Sequence, residues 1–162
     1  MIDRRRFLTL CAAFAALPVR ADAPVAMPPG TTLIILRHAD RTGDHLNARG
    51  QARAEALVAA LDAIPIDAIY APGIRRNLDT AAPLAAARNL TVQRIPGERP
   101  APVLMSAGAG RAIVWVGNKG NLASIWQDLG APDPAPLDYG DLFIVTRAPD
   151  GTPVVARHHF GP

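Results

Sequence analysis

Apolar residues along the chain fall into short unbroken runs separated by stretches of helical period, and this alternation is its first structural signal. The run Thr31-Thr32-Leu33-Ile34-Ile35-Leu36 is brief, continuous and partly β-branched, which predicts a strand buried on both faces. From Asn47, whose side chain can cap a helix, the pattern predicts a helix to about Asp62, with Ala54, Leu57, Val58 and Leu61 as its apolar stripe. Ile66 to Tyr70 predicts a second strand, Pro72-Gly73 a turn, and Arg75 to about Ala87 a second helix in which Pro83 threatens a kink. Pro96 to Gly110 has no period and reads as a loop with at most one short helical turn. Ala112 to Gly117 predicts a third strand, followed by a helix with Leu122, Ile125, Trp126 and Leu129 on one face and Gly130 as its stop.

The last part of the chain breaks the alternation. Leu142 to Thr146 and Val154 to His159 are strand-like and flank Ala148-Pro149-Asp150-Gly151, a hairpin signal. The expected fold is α/β: a three-layer α/β/α sandwich on a mostly parallel sheet with an antiparallel C-terminal edge hairpin. At 162 residues and 49% hydrophobic, the chain can bury one core. No internal repeat is visible, and a single domain is expected over residues 24–162.

The first 23 residues change the picture of compartment. Arg4, Arg5 and Arg6 precede an apolar run from Phe7 to Leu17 and a small-residue site at Ala21-Asp22-Ala23, the layout of a signal peptide cleaved after about Ala23. The run is too short to span a bilayer, so no stable membrane span is expected after processing, and Arg-Arg-x-Phe-Leu at Arg4 to Leu8 resembles a bacterial twin-arginine export signal. A periplasmic location follows as the expectation. Removing the segment takes Arg4, Arg5, Arg6, Arg20, Asp3 and Asp22 with it and lowers the formal charge from +3 to +1. The remainder has no basic tract with interleaved aromatics, so no nucleic-acid partner is expected. Cys11, the sole cysteine, lies in the apolar run, which leaves the mature part without thiol chemistry or a cysteine metal site.

Parallel sheets bind ligands at the carboxyl ends of their strands, and there the chain presents Arg37-His38, Arg75-Arg76 and Asn118-Lys119. Guanidinium donors match phosphate oxygens in pairs and an imidazole can attack phosphorus, although a carboxylate ligand would fit these groups almost as well. His45, His158 and His159 read as loop and edge-strand residues, and neither a metal nor another cofactor is expected.

Leu36-Arg37-His38-Ala39-Asp40 resembles the Arg-His-Gly/Ala signature of the histidine phosphatase superfamily, also called phosphoglycerate-mutase-like. Asn47 to Ala54 is similar to that family's Leu-Thr-x-x-Gly-x-x-Gln/Arg-Ala segment, and Ile69 to Ala81 to its Tyr-Ser-Ser-Pro-x-x-Arg-Ala-x-x-Thr-Ala segment. Val114 to Gly117 and Asp138 to Phe143 extend the resemblance, with Asn77, Ala71 and Pro72 departing from the usual residues. The resemblance implies a phosphomonoesterase in which His38 takes the phosphoryl group, Arg37 and Arg76 bind its equatorial oxygens, and a carboxylate protonates the leaving group. Glu98 is the one carboxylate between the second helix and the third strand; Asp40 and Asp44 are second choices. Arg76 rather than Arg75 matches the family's arginine.

The resemblance also implies a second histidine where this chain has Asn118. An amide can donate to a phosphate oxygen but carries no positive charge; Lys119, one position on, is a candidate to supply it. The expected partner is a small phosphorylated substrate or an envelope-linked phosphate, with no oligomeric state specified. The alternative, from a different class, is a non-catalytic binder of a phosphorylated ligand.

Overall fold

The alternation of strand and helix signals resolves, in a computed structural model that describes residues 23–162, into a mixed sheet between two pairs of helices. The signal-peptide segment lies outside the described residues except for Ala23. In chain order the elements are β1 (Thr32–Arg37), β2 (Arg41–Thr42), β3 (His45–Leu46), α1 (Ala48–Ala60), β4 (Ala68–Ala71), α2 (Arg75–Ala87), β5 (Val92–Arg94), α3 (Ala101–Ala107), β6 (Ala112–Gly117), α4 (Lys119–Leu129), β7 (Asp141–Arg147) and β8 (Pro153–His159). The main sheet runs β5-β4-β6-β1-β7-β8, and β2 and β3 form a separate small ribbon. β5, β4, β6 and β1 are parallel. β7 joins β1 antiparallel and carries β8 as the edge of a hairpin.

The continuous apolar runs are explained by burial on both faces, because successive side chains of a strand point to opposite sides. Leu33 and Ile35 of β1 pack with Leu104 of α3 and Leu122, Ile125 and Trp126 of α4. Ile34 and Leu36 point the other way, into Leu57 and Leu61 of α1 and Ala81 and Leu84 of α2. The three-layer sandwich expected from the sequence is the fold, and α2 continues through Pro83. Among the described residues no helix is long and apolar enough to cross a membrane.

One expectation changes, and three short strands are new. The segment from Pro96 to Gly110 holds the seven-residue helix α3, longer than a single turn, with Ala101, Leu104 and Met105 buried at i, i+3 and i+4. Neither β5 nor the β2-β3 ribbon has an apolar pattern of its own: their residues are exposed or half-buried.

The start of α1 fixes the loop that follows β1. Asn47 Oδ1 accepts from Gly50 N at 2.9 Å, and Asn47 N donates to Asp40 O at 3.1 Å. A Cβ at Gly50 would collide with the Asp40 carbonyl oxygen, so glycine is what lets the helix approach this closely. Arg53, 2% exposed, donates its Nε to Asp40 Oδ2 at 2.7 Å, one Nη to Phe160 O at 2.5 Å and the other to Pro162 O. One buried guanidinium thus joins the post-β1 loop to the residues after β8. Removing one partner of a buried ion pair strands the other, so Arg53→Met is expected to cost about 3 kcal/mol or more. Urea unfolding of the variant against the parent protein measures it.

Candidate functional site

Parallel pairing puts the carboxyl ends of β1, β6 and β4 along one edge of the sheet. His38 N donates to Gly117 O at 2.8 Å, which prolongs the β1-β6 ladder and brings His38 beside the junction of β6 with Asn118. Ala39 N donates to Thr80 Oγ1 at 2.9 Å, and that hydroxyl in turn donates to Arg76 O at 2.7 Å. A single threonine therefore ties the residue after His38 to the first turn of α2. Asn77, fully buried, donates from Nδ2 to Val116 O at 3.0 Å and locks the same turn against β6.

His38 is 2% exposed, and its ring Nδ1 lies 2.9 Å from Ala39 O. A carbonyl only accepts, so Nδ1 carries the proton and Nε2 keeps its lone pair. Burial pushes the imidazole pKa down from 6.5 to about 4; the Ala39 hydrogen bond opposes this, and the positive charges of Arg37, Arg76 and Arg41 reinforce it. His38 is accordingly a neutral imidazole through the physiological range, with a free nitrogen among guanidinium groups.

Arg37 is held from the far side of the sheet's edge. Its Nη atoms donate to Leu137 O at 3.2 Å and Tyr139 Oη at 3.1 Å, and its guanidinium carbon sits 3.9 Å from the centroid of the Tyr139 ring. That ring also lies 5.8 Å from the His38 ring. Tyr139 is the site residue whose part sequence reasoning missed: it is 102 positions from Arg37, and its neighbourhood follows from the pairing of β7 with β1. Arg76, 18% exposed at its side chain, meets Asp44 at 3.2 Å. The Nε atoms of both Arg37 and Arg76 are buried without a hydrogen-bonding partner among the described residues.

The remaining candidates separate clearly. Arg75 is exposed and pairs with Asp79 at 3.5 Å, away from His38. Asp40 is committed to Arg53 and Arg49, while Asp44 stays largely exposed beside Arg76. Asn118 is the N-cap of α4, its Oδ1 accepting from Gly120 N at 3.1 Å and Asn121 N at 3.3 Å. It shares a cleft of about 540 Å³ with Glu98. Lys119 is exposed on the first turn. His45 lines a different cavity with Glu55 and Arg75, and His159 faces Asp141 at 3.7 Å. Among the described residues no group of three His, Cys, Asp or Glu is placed to hold a metal ion.

The neutral state of His38 makes stability depend on pH with a definite sign. The unfolded chain takes up the proton near 6.5 and the folded one only near 4, so acidification through this window favours unfolding. The loss should reach about 3 kcal/mol by pH 4. Unfolding midpoints between pH 7 and 4 check it, with His38→Gln removing that part of the slope.

Comparison with known proteins agrees with this geometry. The model of the histidine phosphatase superfamily (branch 1) matches residues 33–99, a span that includes Arg37, His38 and Arg76. The fold is similar to that of the protein histidine phosphatase SixA complexed with tungstate, at 14% identity, covering 80% of this chain and 97% of that one with a TM-score of 0.62. It is similar to a mycobacterial glucosyl-3-phosphoglycerate phosphatase with inorganic phosphate (15% identity, 82% and 97% covered, TM-score 0.58) and to Bacillus stearothermophilus YhfR (19%, 78% and 95%, TM-score 0.61). Comparison with the curated proteins finds no match. The superfamily's model thus matches the stretch that carries Arg37, His38 and Arg76, and the fold is that of histidine phosphatase structures over about four fifths of the chain, so the chain is similar to the histidine phosphatase superfamily in both respects.

Proposed function

We propose that this protein is an exported phosphomonoesterase that works through a phosphohistidine on His38. The observation that carries the reading is the state of that ring: neutral, with Nδ1–H turned to Ala39 O and Nε2 free between arginines that keep unpartnered Nε donors. In the first step the Nε2 lone pair attacks phosphorus while the bond to the leaving oxygen breaks, and Glu98 gives that oxygen a proton. Arg37 and Arg76 hold the equatorial oxygens, where charge spreads as the phosphoryl group transfers. In the second step water attacks phosphorus, its proton goes to the Glu98 carboxylate, and the P–N bond breaks to release phosphate. No metal or cofactor takes part. The signal-like residues 1–23 support action in the periplasm on a small phosphorylated substrate or an envelope-linked phosphate.

Asn118 favours a second reading, a non-catalytic binder of a phosphorylated ligand. Its Oδ1 is spent on capping α4, which leaves Nδ2 as a single neutral donor at the position where the family resemblance implies a histidine. Losing one transition-state donor typically costs about 100- to 1,000-fold in rate. Phosphate release from p-nitrophenyl phosphate tests both readings. The catalytic one expects slow release by the parent protein, none by His38→Ala, and an increase of about 100-fold or more in Asn118→His. The same variant gives up a helix cap worth about 1 kcal/mol and should melt a few degrees lower. No release by the parent protein, with release by Asn118→His, would sink turnover and leave the binding reading.

A further inference from the structure

The cleft shared by Glu98 and Asn118 contains a polar group that neither the capping of α4 nor the chemistry at His38 uses. Asn121, 5% exposed, lines this cleft. Its Oδ1 accepts from Asn118 N at 2.9 Å and Trp115 Nε1 at 3.3 Å. Two donors on one side fix which amide atom is oxygen, so Nδ2 must be the opposite one. That Nδ2 is buried without a hydrogen-bonding partner among the described residues. Gly97 forms the facing wall, where an added Cβ would stand 3.4 Å from Asn121 Nδ2 and 3.6 Å from Pro72 Cβ.

The other lining groups define what can sit against that amide. Pro72, Ile74 and Ile95 give an apolar wall, Asn118 a second amide, and Glu98 is the single ionisable side chain of the lining. Among the described residues no lysine or arginine lines the cleft. A buried donor calls for an acceptor, apolar walls suit the carbon face of a ring, and a lining without a cation gives a second anionic group no counter-charge. His38 N is bonded to Gly117 O, one residue before Asn118 of the lining, so the cleft opens next to the strand ends that would hold a phosphate.

We propose that this cleft is the leaving-group subsite and that Asn121 makes it selective for the phosphomonoester of an uncharged sugar or polyol, against esters bearing a second anionic group. The inference rests on the phosphate-site reading of His38. A hydroxyl or ring oxygen of the leaving group accepts from Asn121 Nδ2, Glu98 faces the ester oxygen, and the ring lies on Ile95.

Equilibrium binding to the full-length protein, measured by calorimetry with inorganic phosphate, a hexose 6-phosphate and the matching hexose 1,6-bisphosphate, tests the assignment. The expected order is hexose 6-phosphate at least ~10-fold tighter than either inorganic phosphate or the bisphosphate, which is the effect of one well-placed buried hydrogen bond. Asn121→Asp keeps the Oδ1 that α4 needs and replaces the donor; it should erase the advantage of the hexose ester. Gly97→Ala, whose methyl meets ordinary contact distances, should weaken the hexose ester severalfold and leave inorganic phosphate unchanged. Glu98→Lys should raise bisphosphate affinity above that of the 6-phosphate. Binding of inorganic phosphate with no preference among the esters, or with Asn121→Asp and Gly97→Ala both unchanged, overturns the subsite while the phosphate site stands. Failure to bind inorganic phosphate at all overturns the phosphate site and the subsite together.

Discussion

The hydrogen bond from His38 N to Gly117 O is the constraint from which the site's geometry follows. It continues the parallel ladder of β1 and β6 past the last paired residues, Arg37 and Gly117. A parallel pair has one register once its apolar faces are buried, since a slip of one residue would turn Leu33 and Ile35 out of one core and into the other. That register places His38 against the start of α4. The backbone of the next residue is then caught by Thr80, which is itself bonded to the carbonyl of Arg76. Strand pairing thus delivers the histidine, and one hydroxyl delivers the arginine.

Burial has opposite consequences for the charged groups that meet here. Arg53 tolerates near-complete burial because three acceptors surround it. Arg37 and Arg76 are only part-satisfied: outer nitrogens reach Leu137, Tyr139 and Asp44, and inner Nε atoms have no partner among the described residues. His38 answers the same surroundings by giving up its charge. An anion brought into this arrangement would satisfy the free donors and offset the positive field, while the neutral imidazole would keep its lone pair for it. On the proposed reading, a preference for an oxyanion would come from the field around the ring.

Much of this was legible in the chain, and the reasons for the rest are physical. β6 and α2 have the bounds read from the sequence because their apolar spacing is unambiguous. The Asn47 cap was legible because an N-cap acts on backbone a few residues away. β5 escaped because three residues with one half-buried valine carry no period. Proline at 96, 100 and 102 and glycine at 97, 108 and 110 hid the stripe of Ala101, Leu104 and Met105 in α3. Strand ends bearing Arg37, Arg76 and Asn118 could be nominated from sequence, since topology alone gathers them. Tyr139 could not, because its contact with Arg37 depends on the path of the chain between α4 and β7.

Asn118 shows how local and catalytic demands compete for one position. Asparagine is among the better N-caps, and here it exchanges hydrogen bonds reciprocally with Asn121, whose side chain also receives Trp115 Nε1. Gly117 belongs to the same arrangement, since a Cβ there would collide with Asn121 Oδ1. Glycine, cap, first-turn amide and tryptophan therefore form one interlocked unit at the end of β6. A histidine in place of Asn118 would bring an imidazole to this position but release the cap on Gly120 N and Asn121 N, while the backbone N–H of residue 118 and Trp115 Nε1 would still hold the Asn121 side chain. On the proposed reading the asparagine couples two properties: an uncharged group beside the phosphate, and a neighbouring cleft in which the Asn121 Nδ2 donor is fixed in direction.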